Sequence, residues 1–512
     1  MDPPLVLPGL AAWPSGLGKG LQSPVPGFDS RRRLRKTGIR DTAEPFKREN
    51  PSTGSHIRPE VGSEGRRYAL AVTRRQFLRR LTLVAAAGFA GRVAYIFAVT
   101  RRQTVSFDEF YYIGAAANLA HGRGFTSPPL FGPPGRPDAL HPPLPQVVLA
   151  PVSRLTDGSH LALRLTVALA GALVIVVIGL LTSELAGHWA GLVAAGLAAA
   201  YPNLWVNDGL VLSETFATLG TAATVWFSYR LARRPTWLNA AAVGVAAASA
   251  MLSRGELVLL IPLLIVPAVL TIRKLRLASR VVLTAVAVLV AALAIGPWVA
   301  YNLTRFERPV LLSYNDGGVF RGANCEATYS GPLIGLWHGP CTVSDQQPEA
   351  NDPSVTDGRK RTEAFHYMRQ HLGRLPVVVA VREARIWGAY RPFQMARIST
   401  AEGRPRWVSL LGWGSSWALL LLAVPGAMAL RRRAIPLTPL LVPLLIVAVT
   451  AAVFYGIVRF RTPAEPSIVV LAAVGLDSLV FKHQGAGREP TRQVREEPSS
   501  VAEAASQASA SG

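Results

Sequence analysis

From about Leu81 onward, apolar residues fall in long unbroken runs separated by short polar turns. Neither a two-residue nor a strict 3.6-residue alternation dominates. A helix needs about 20 apolar residues to cross a bilayer. Runs of about that length occupy 81–99, 161–185, 188–204, 215–231, 237–252, 257–272, 281–301, 408–430, 436–456 and 467–481. The pattern predicts an all-α polytopic membrane protein with about ten transmembrane helices. Two interruptions break the rhythm: the Pro-rich segment 145–155, which reads as a re-entrant or interfacial helix, and a polar stretch over 302–407 between the seventh and eighth runs. Residues 1–72 and 483–512 lack apolar runs and are rich in Pro, Gly, Ser, Ala and charge, so both read as disordered tails. The resulting division is a tail (1–72), a transmembrane module (73–301) whose first loop is 101–160, the polar segment (302–407), the C-terminal spans (408–482) and a second tail (483–512).

Charge orients this scheme. The chain carries a formal net charge of +23, and up to Arg80 there are 16 basic against 7 acidic side chains. The basic residues stand at span ends: TRRQFLRR (73–80), ARRP (232–235), RKLRLASR (273–280) and RRR (431–433). In a ten-span scheme all four clusters fall on one side. The positive-inside rule makes that side cytoplasmic, with both termini there and the loops 101–160 and 302–407 outside. A nucleic-acid footprint would gather the charge on one domain face, so nucleic acid is excluded as a partner. TRRQFLRR resembles a twin-arginine export signal, but no small-residue cleavage site follows it. RRRLRK (31–36) reads as a solvated charge run, with attraction to anionic lipid as the alternative.

The first outer loop then stands out. It opens with Asp108 and Glu109, and a carboxylate at the edge of hydrocarbon usually marks a functional site. Asp108 is the candidate base, and the competing reading is a helix-capping carboxylate at the start of DEFYYIGAAANLA (108–120). The two cysteines of the chain, Cys325 and Cys341, both lie in the outer segment. Outside the cytoplasm they are expected to form one disulfide, contributing roughly 3 kcal/mol, with two free thiols as the alternative. Segment 362–392 mixes apolar residues with Arg382, Arg385 and Arg391, has Trp387 and Tyr390 near its end, and reads as amphipathic helices lying along the membrane interface.

Taken together, DEFYY (108–112), NLAHGRGF (118–125), HPPLP (141–145), WVNDGLVLSE (205–214), LSRGE (252–256), NCEATYSGPLIGLWHGPC (324–341) and RFRTPAEP (459–466) resemble, in order and spacing, the GT-C fold of integral-membrane glycosyltransferases. The branch is that of protein O-mannosyltransferases and the lipid A aminoarabinose transferase. The resemblance implies a sugar donor carried on a polyprenyl phosphate and a catalytic acid in the first outer loop. That role falls on Asp108, with Glu109 second. Some members bind a divalent metal. Here no cofactor is required by the sequence, no dedicated ligand cluster is evident, and the metal is left open. The acceptor is not implied.

Transfer from a lipid phosphate needs a base for the acceptor hydroxyl and positive charge for the departing phosphate. Arginine suits the second task, because its planar fork meets oxygen pairs and stays charged. Arg254, Arg459 and Arg461 sit at outer span ends, where the positive-inside rule gives no reason for them. Their alternative role is pairing with Glu256 and Glu465. Glu214 faces the same cavity or marks a helix start. His141 is a candidate donor to phosphate or sugar, or a structural turn residue. Arg92 and Arg164 are expected to pair across the bundle, and Asn302–Thr304 is a chance match to a glycosylation sequon. The rival function is a transporter or flippase of a lipid-linked saccharide, which should show inverted repeats that are not evident here.

Overall fold

The computed structural model describes residues 72–272, 274–343 and 351–482. The expected tails, apart from Val72, and Arg273 lie outside the described residues. Helices that matter here are α1 (Arg74–Ala98), α2 (Phe107–Ala120), α3 (Leu144–Leu155), α4 (His160–Ala186), α5 (His188–Ala200), α6 (Pro202–Asp208), α7 (Glu214–Arg233) and α8 (Trp237–Met251). They continue with α9 (Leu277–Leu303), α10 (Asp316–Ala323), α11 (Pro353–Gln370), α12 (Leu375–Ile386), α13 (Pro392–Ile398), α14 (Arg406–Arg432), α15 (Thr438–Val453) and α16 (Glu465–Lys482). Among the described residues there is no β-strand, only one isolated bridge between Thr126 and Pro137. The protein is an all-α polytopic membrane protein.

Local chemistry sets the helix starts. Thr73 accepts from the Gln76 amide at 3.3 Å while the Gln76 side chain accepts from the Thr73 amide at 3.1 Å, a reciprocal cap for α1. Ser106, Ser159 and Thr236 cap α2, α4 and α8 in the simpler way. Five helices are long and apolar enough to cross a membrane, and six if α5 and α6 count as one span. The shorter apolar helices Trp237–Met251, Gly255–Leu270 and Thr438–Val453 fall on three more of the expected runs. By length and apolarity alone the count of ten is therefore not reached, although every expected run coincides with a helical segment.

Two expected spans are not straight helices. The third bends by 57° between α5 and α6, where Tyr201 is extended ahead of Pro202 at the first position of α6. A residue before proline is pushed out of the α region, so the helix must restart there. The sixth is a succession of 3₁₀, π and α turns over 255–270. Pro262 and Pro267 remove two backbone donors from it, which accounts for the irregular winding.

The bundle is built around α16, on which Ile468 to Val474 are nearly fully buried. A helix that is apolar all round belongs in the middle of a bundle. Its crossing with α14 is close: a Cβ on Gly426 would lie 1.9 Å from the Leu471 carbonyl oxygen, and one on Gly475 would lie 2.0 Å from that of Leu422. Larger residues at either place would force the helices apart, as at other small-residue crossings in membranes. On the bundle's outside Leu83, Leu169, Leu173, Leu289, Leu293 and Leu421 remain exposed, which suits lipid and not water.

Two buried ion pairs lock the bundle internally. Arg92 on α1 meets Asp208 on α6 at 2.6 Å, and Arg164 on α4 meets Glu109 on α2 at 2.9 Å. Both arginines thus pair across the bundle.

In the polar segment Cys325 and Cys341 form a disulfide with their Cα atoms 6.3 Å apart. The helices expected to lie at the interface are placed differently in one respect. Arg382 and Arg385 on α12 are fully buried. Arg382 donates to the carbonyls of Ala452 at 3.0 Å and Ala323 at 2.7 Å, and Arg385 to that of Ile334 at 2.7 Å. These carbonyls hold the guanidinium groups inside the protein, so they do not reach toward a headgroup layer.

Candidate active site

The end of α1, the start of α7, the end of α8 and the turn between α15 and α16 all reach one end of the bundle. The basic ends of α1, α7 and α14 lie at the other, by the up-and-down path of the chain. The first end gathers charged side chains around Arg459, which stands in a 3₁₀ segment, Val458–Ala464, leading into α16.

Arg459 touches three carboxylates. Its Nη2 is 2.6 Å from Asp108 Oδ2, its Nη1 is 3.5 Å from Glu402 Oε1, and its Nε donates to Glu214 Oε1. Arg254 extends the array, meeting Glu214 at 3.0 Å and Glu256 at 2.5 Å, and its guanidinium lies 4.7 Å from the centre of the Phe460 ring. The carboxylates differ in access. Glu214 has no exposed side-chain surface, whereas Asp108 keeps 32% of its own. Glu402 keeps 21%, so Asp108 is the most open of the three to an approaching substrate.

Local geometry explains Asp108's position. Ser106, not Asp108, caps α2, accepting from the Glu109 amide at 3.4 Å. Asp108 is left free to project from the first turn, where the helix terminus favours negative charge. Burial opposes its ionisation, yet Arg459, with help from His141 and Arg254, outweighs burial and holds the carboxyl below its ordinary value. Asp108 is a carboxylate at neutral pH.

His141 lies beside it. Its ring stacks on Tyr112 at 5.2 Å and meets the edge of Tyr111 at 4.9 Å. Burial lowers its pKa despite the pull of Asp108, leaving a neutral imidazole at pH 7. The loop carrying it is anchored twice: Tyr111 donates to Asp138 at 2.6 Å, and the Leu144 amide donates to the Leu252 carbonyl at 2.8 Å. Tyr314 from the polar segment also donates to Asp138. The second anchor ties HPPLP to LSRGE and so to Arg254.

Two expected site residues are elsewhere. Glu109 is completely buried and accepts from Arg164 at 2.9 Å and from the Val211 amide at 3.1 Å. Neighbours on a helix point about 100° apart, so Glu109 faces the bundle interior when Asp108 faces Arg459. Arg461 pairs with Glu465 at 2.7 Å and donates to the Ile386 carbonyl at 3.2 Å. In a 3₁₀ turn residues two apart lie on different faces, so Arg459 and Arg461 cannot serve one ligand together.

Glu402 and Arg404 are close to the cluster without having been expected there. Burial raises the Glu402 carboxyl against the opposing pull of Arg459 and Arg404, and burial likewise lowers Arg404. The signal that marks Asp108, a carboxylate at the edge of hydrocarbon, applies also to Glu402 ahead of α14. Among the described residues no group of three His, Cys, Asp or Glu side chains could hold a metal ion. Asp108, Glu214 and Glu402 each turn an oxygen to Arg459 instead.

Comparison with known proteins follows the same lines. The family model described as "Dolichyl-phosphate-mannose-protein mannosyltransferase" matches residues 140–301. That match bears out the resemblance to GT-C glycosyltransferases, and it includes His141, Glu214, Arg254 and Glu256. A comparison with curated protein sequences finds no match. Among solved structures, the apo oligosaccharyltransferase of Archaeoglobus fulgidus is 15% identical, with a TM-score of 0.49 over 80% of this chain and 51% of that one. The same organism's AglB, solved with an inhibitory peptide and a dolichol-phosphate, is 16% identical with a TM-score of 0.45 over 81% and 52%. ArnT from Cupriavidus metallidurans bound to undecaprenyl phosphate is 14% identical with a TM-score of 0.34 over 81% and 80%. The chain spans about half the length of the oligosaccharyltransferase.

Proposed function

We propose that this protein is a membrane glycosyltransferase that moves a sugar from a polyprenyl-phosphate donor to an acceptor hydroxyl, with Asp108 as the base. The observation that carries this reading is the pairing of Asp108 with Arg459 at 2.6 Å, where Asp108 is the most exposed of the three carboxylates on that arginine. The family match supports the donor class, since its description names a dolichyl-phosphate-linked sugar. The donor phosphate of such substrates is an anion that arginine binds well.

In this reading the acceptor oxygen attacks the anomeric carbon while the bond from that carbon to the phosphate oxygen breaks. The acceptor proton passes to Asp108, and the carrier leaves as a lipid phosphate. A single displacement of this kind inverts the anomeric centre. A carboxylate held low by an arginine is a weak base, so the Asp108–Arg459 contact must loosen before the proton moves. The incoming phosphate supplies the reason. It competes with Asp108 for Nη2 of Arg459, while Glu214, fully buried, keeps its hold on Nε. Arg254 is the second cation for the phosphate, and neutral His141 is placed to donate a hydrogen bond to the sugar or phosphate. Glu256 orients Arg254.

The positive-inside rule supports a site on the outer side of the cytoplasmic membrane. The Cys325–Cys341 disulfide supports that sidedness, because disulfides persist outside the cytoplasm. The test is transfer of label from polyprenyl-phosphate sugars in membranes containing the wild type or Asp108→Asn. Transfer by the wild type and its loss in the variant is the expected result.

A further inference from the structure

A second charged cavity lies behind the Arg459 cluster, between α6, α13 and α14. Its polar lining includes Arg404, Ser409 and Arg461, and its apolar lining includes Val206, Met395 and Trp413. Arg404 and Arg461 are only 4% and 1% exposed. Each has one nitrogen with no hydrogen-bond partner among the described residues, Nε of Arg404 and Nη2 of Arg461, and Ser409 Oγ is likewise unpartnered. Buried polar groups are nearly always hydrogen-bonded, so three unmet groups around one cavity are informative. The cavity has about 30 Å³ of room for the centre of a water-sized sphere, whereas a single water needs roughly 10–15 Å³.

The unmet groups favour an acceptor. Arg461 is matched by Glu465 and donates to the Ile386 carbonyl, and Arg404 donates to Asn207 Oδ1. What remains unmet is two guanidinium N–H groups and a hydroxyl, all able to donate to the oxygens of an anion. The fixed fork of a guanidinium suits phosphate oxygens.

The surroundings favour a lipid as the phosphate's carrier. Trp407 is 56% exposed and Phe393 57%, and Trp413 and Trp417 are also exposed, all on α13, α14 or the short turn between them. Further along α14 the exposed residues are aliphatic, Leu421 and Val424. Trp-rich belts mark the headgroup level of a membrane, so the cavity lies at phosphate depth beside the acyl region.

We infer that the cavity between α13 and α14 binds the phosphate of an anionic membrane lipid on Arg404, Ser409 and Arg461, at a site separate from Asp108 and Arg459. This inference does not depend on the transfer reading, because the site is read out by binding.

The experiment is native mass spectrometry of the purified full chain titrated with phosphatidylglycerol, with diacylglycerol of the same chain length and with inorganic phosphate. The wild type is expected to hold phosphatidylglycerol saturably and to prefer it to both controls. Arg404→Gln removes one charge-assisted hydrogen bond and should weaken binding about tenfold or more. Ser409→Ala, a change too small to disturb folding, should weaken it several-fold. Asp108→Asn should bind as the wild type does, which separates this site from the transfer centre. Equal affinity in wild type, Arg404→Gln and Ser409→Ala would overturn the inference. So would diacylglycerol binding as well as phosphatidylglycerol, or inorganic phosphate binding as tightly without acyl chains.

Discussion

Arg459 and Asp108, 351 positions apart in the chain, meet at 2.6 Å between Nη2 and Oδ2. The same guanidinium reaches Glu214 and Glu402 with its other nitrogens. One side chain therefore fixes the accessible carboxylate from α2 against the buried one from α7.

Because Arg459 serves three carboxylates with a planar fork, lysine is a poor replacement. Arg459→Lys should fold but lose roughly 100-fold or more in kcat/KM, the scale associated with loss of a preorganised charged donor. Arg459→Ala should be less stable as well, by about 1–3 kcal/mol, because buried Glu214 loses one of its two arginine partners and keeps Arg254. Thermal unfolding in detergent beside single-turnover transfer would separate the two effects. An Arg459→Lys enzyme with wild-type kcat/KM would remove Arg459 from its role.

The pH profile offers a second check. Asp108 is held below its ordinary value chiefly because Arg459 outweighs burial. Removing that cation leaves burial to push the carboxyl upward, so the base takes its proton at a higher pH. The acidic limb of kcat/KM should therefore move to higher pH in Arg459→Gln, whatever residual rate remains. His141, whose pKa burial lowers, is already neutral at pH 7 and should contribute no change between pH 7 and 8. An acidic limb that does not move would contradict the electrostatic coupling of Asp108 and Arg459.

Glu109 should matter for stability and not for chemistry. It is buried against Arg164, and breaking such a pair costs about 3–5 kcal/mol. Glu109→Gln is expected to lower Tm while the folded fraction transfers sugar at the wild-type rate. A Glu109→Gln enzyme of normal Tm that has lost turnover would restore the catalytic role implied by the sequence resemblance.

The Cys325–Cys341 bridge closes a loop with a sequence separation of 16. For a loop of that size the chain-entropy model gives about 3 kcal/mol. Cys325→Ser should lower the midpoint of chemical unfolding accordingly, and reductant should do the same to the wild type but not to the variant. No response to reductant in either would count against the bridge.

The layout of the bundle was legible because hydrocarbon imposes long apolar runs and charge collects at their ends. The bends at Pro202 and Pro262 were visible as prolines, but how far a chain bends depends on its neighbours. The site was only half legible. Asp108, Glu214, Arg254 and Glu256 could be picked out as charges at span ends, each against a local alternative. Nothing in DEFYY tells which of its two carboxylates turns to Arg459, since that depends on how α2 is rotated against α4 and Arg164. Nor does RFRTP reveal that Arg459 and Arg461 part company, because the 3₁₀ winding that separates them is set by packing between α15 and α16. Glu402 carried the same signal as Asp108, but the arginines around it, Arg397, Arg404 and Arg406, belong to none of the motifs that drew notice.

The most direct test joins chemistry to geometry at Asp108. Membranes containing the wild type or Asp108→Asn, matched for folded protein, would be supplied with a labelled polyprenyl-phosphate sugar and cell-envelope acceptors, and transferred label would be counted. The asparagine keeps the shape and accepts a hydrogen bond from Arg459 but cannot take the acceptor's proton, so transfer should fall by roughly 100-fold or more. Transfer at the wild-type rate by Asp108→Asn would contradict the assignment of the base.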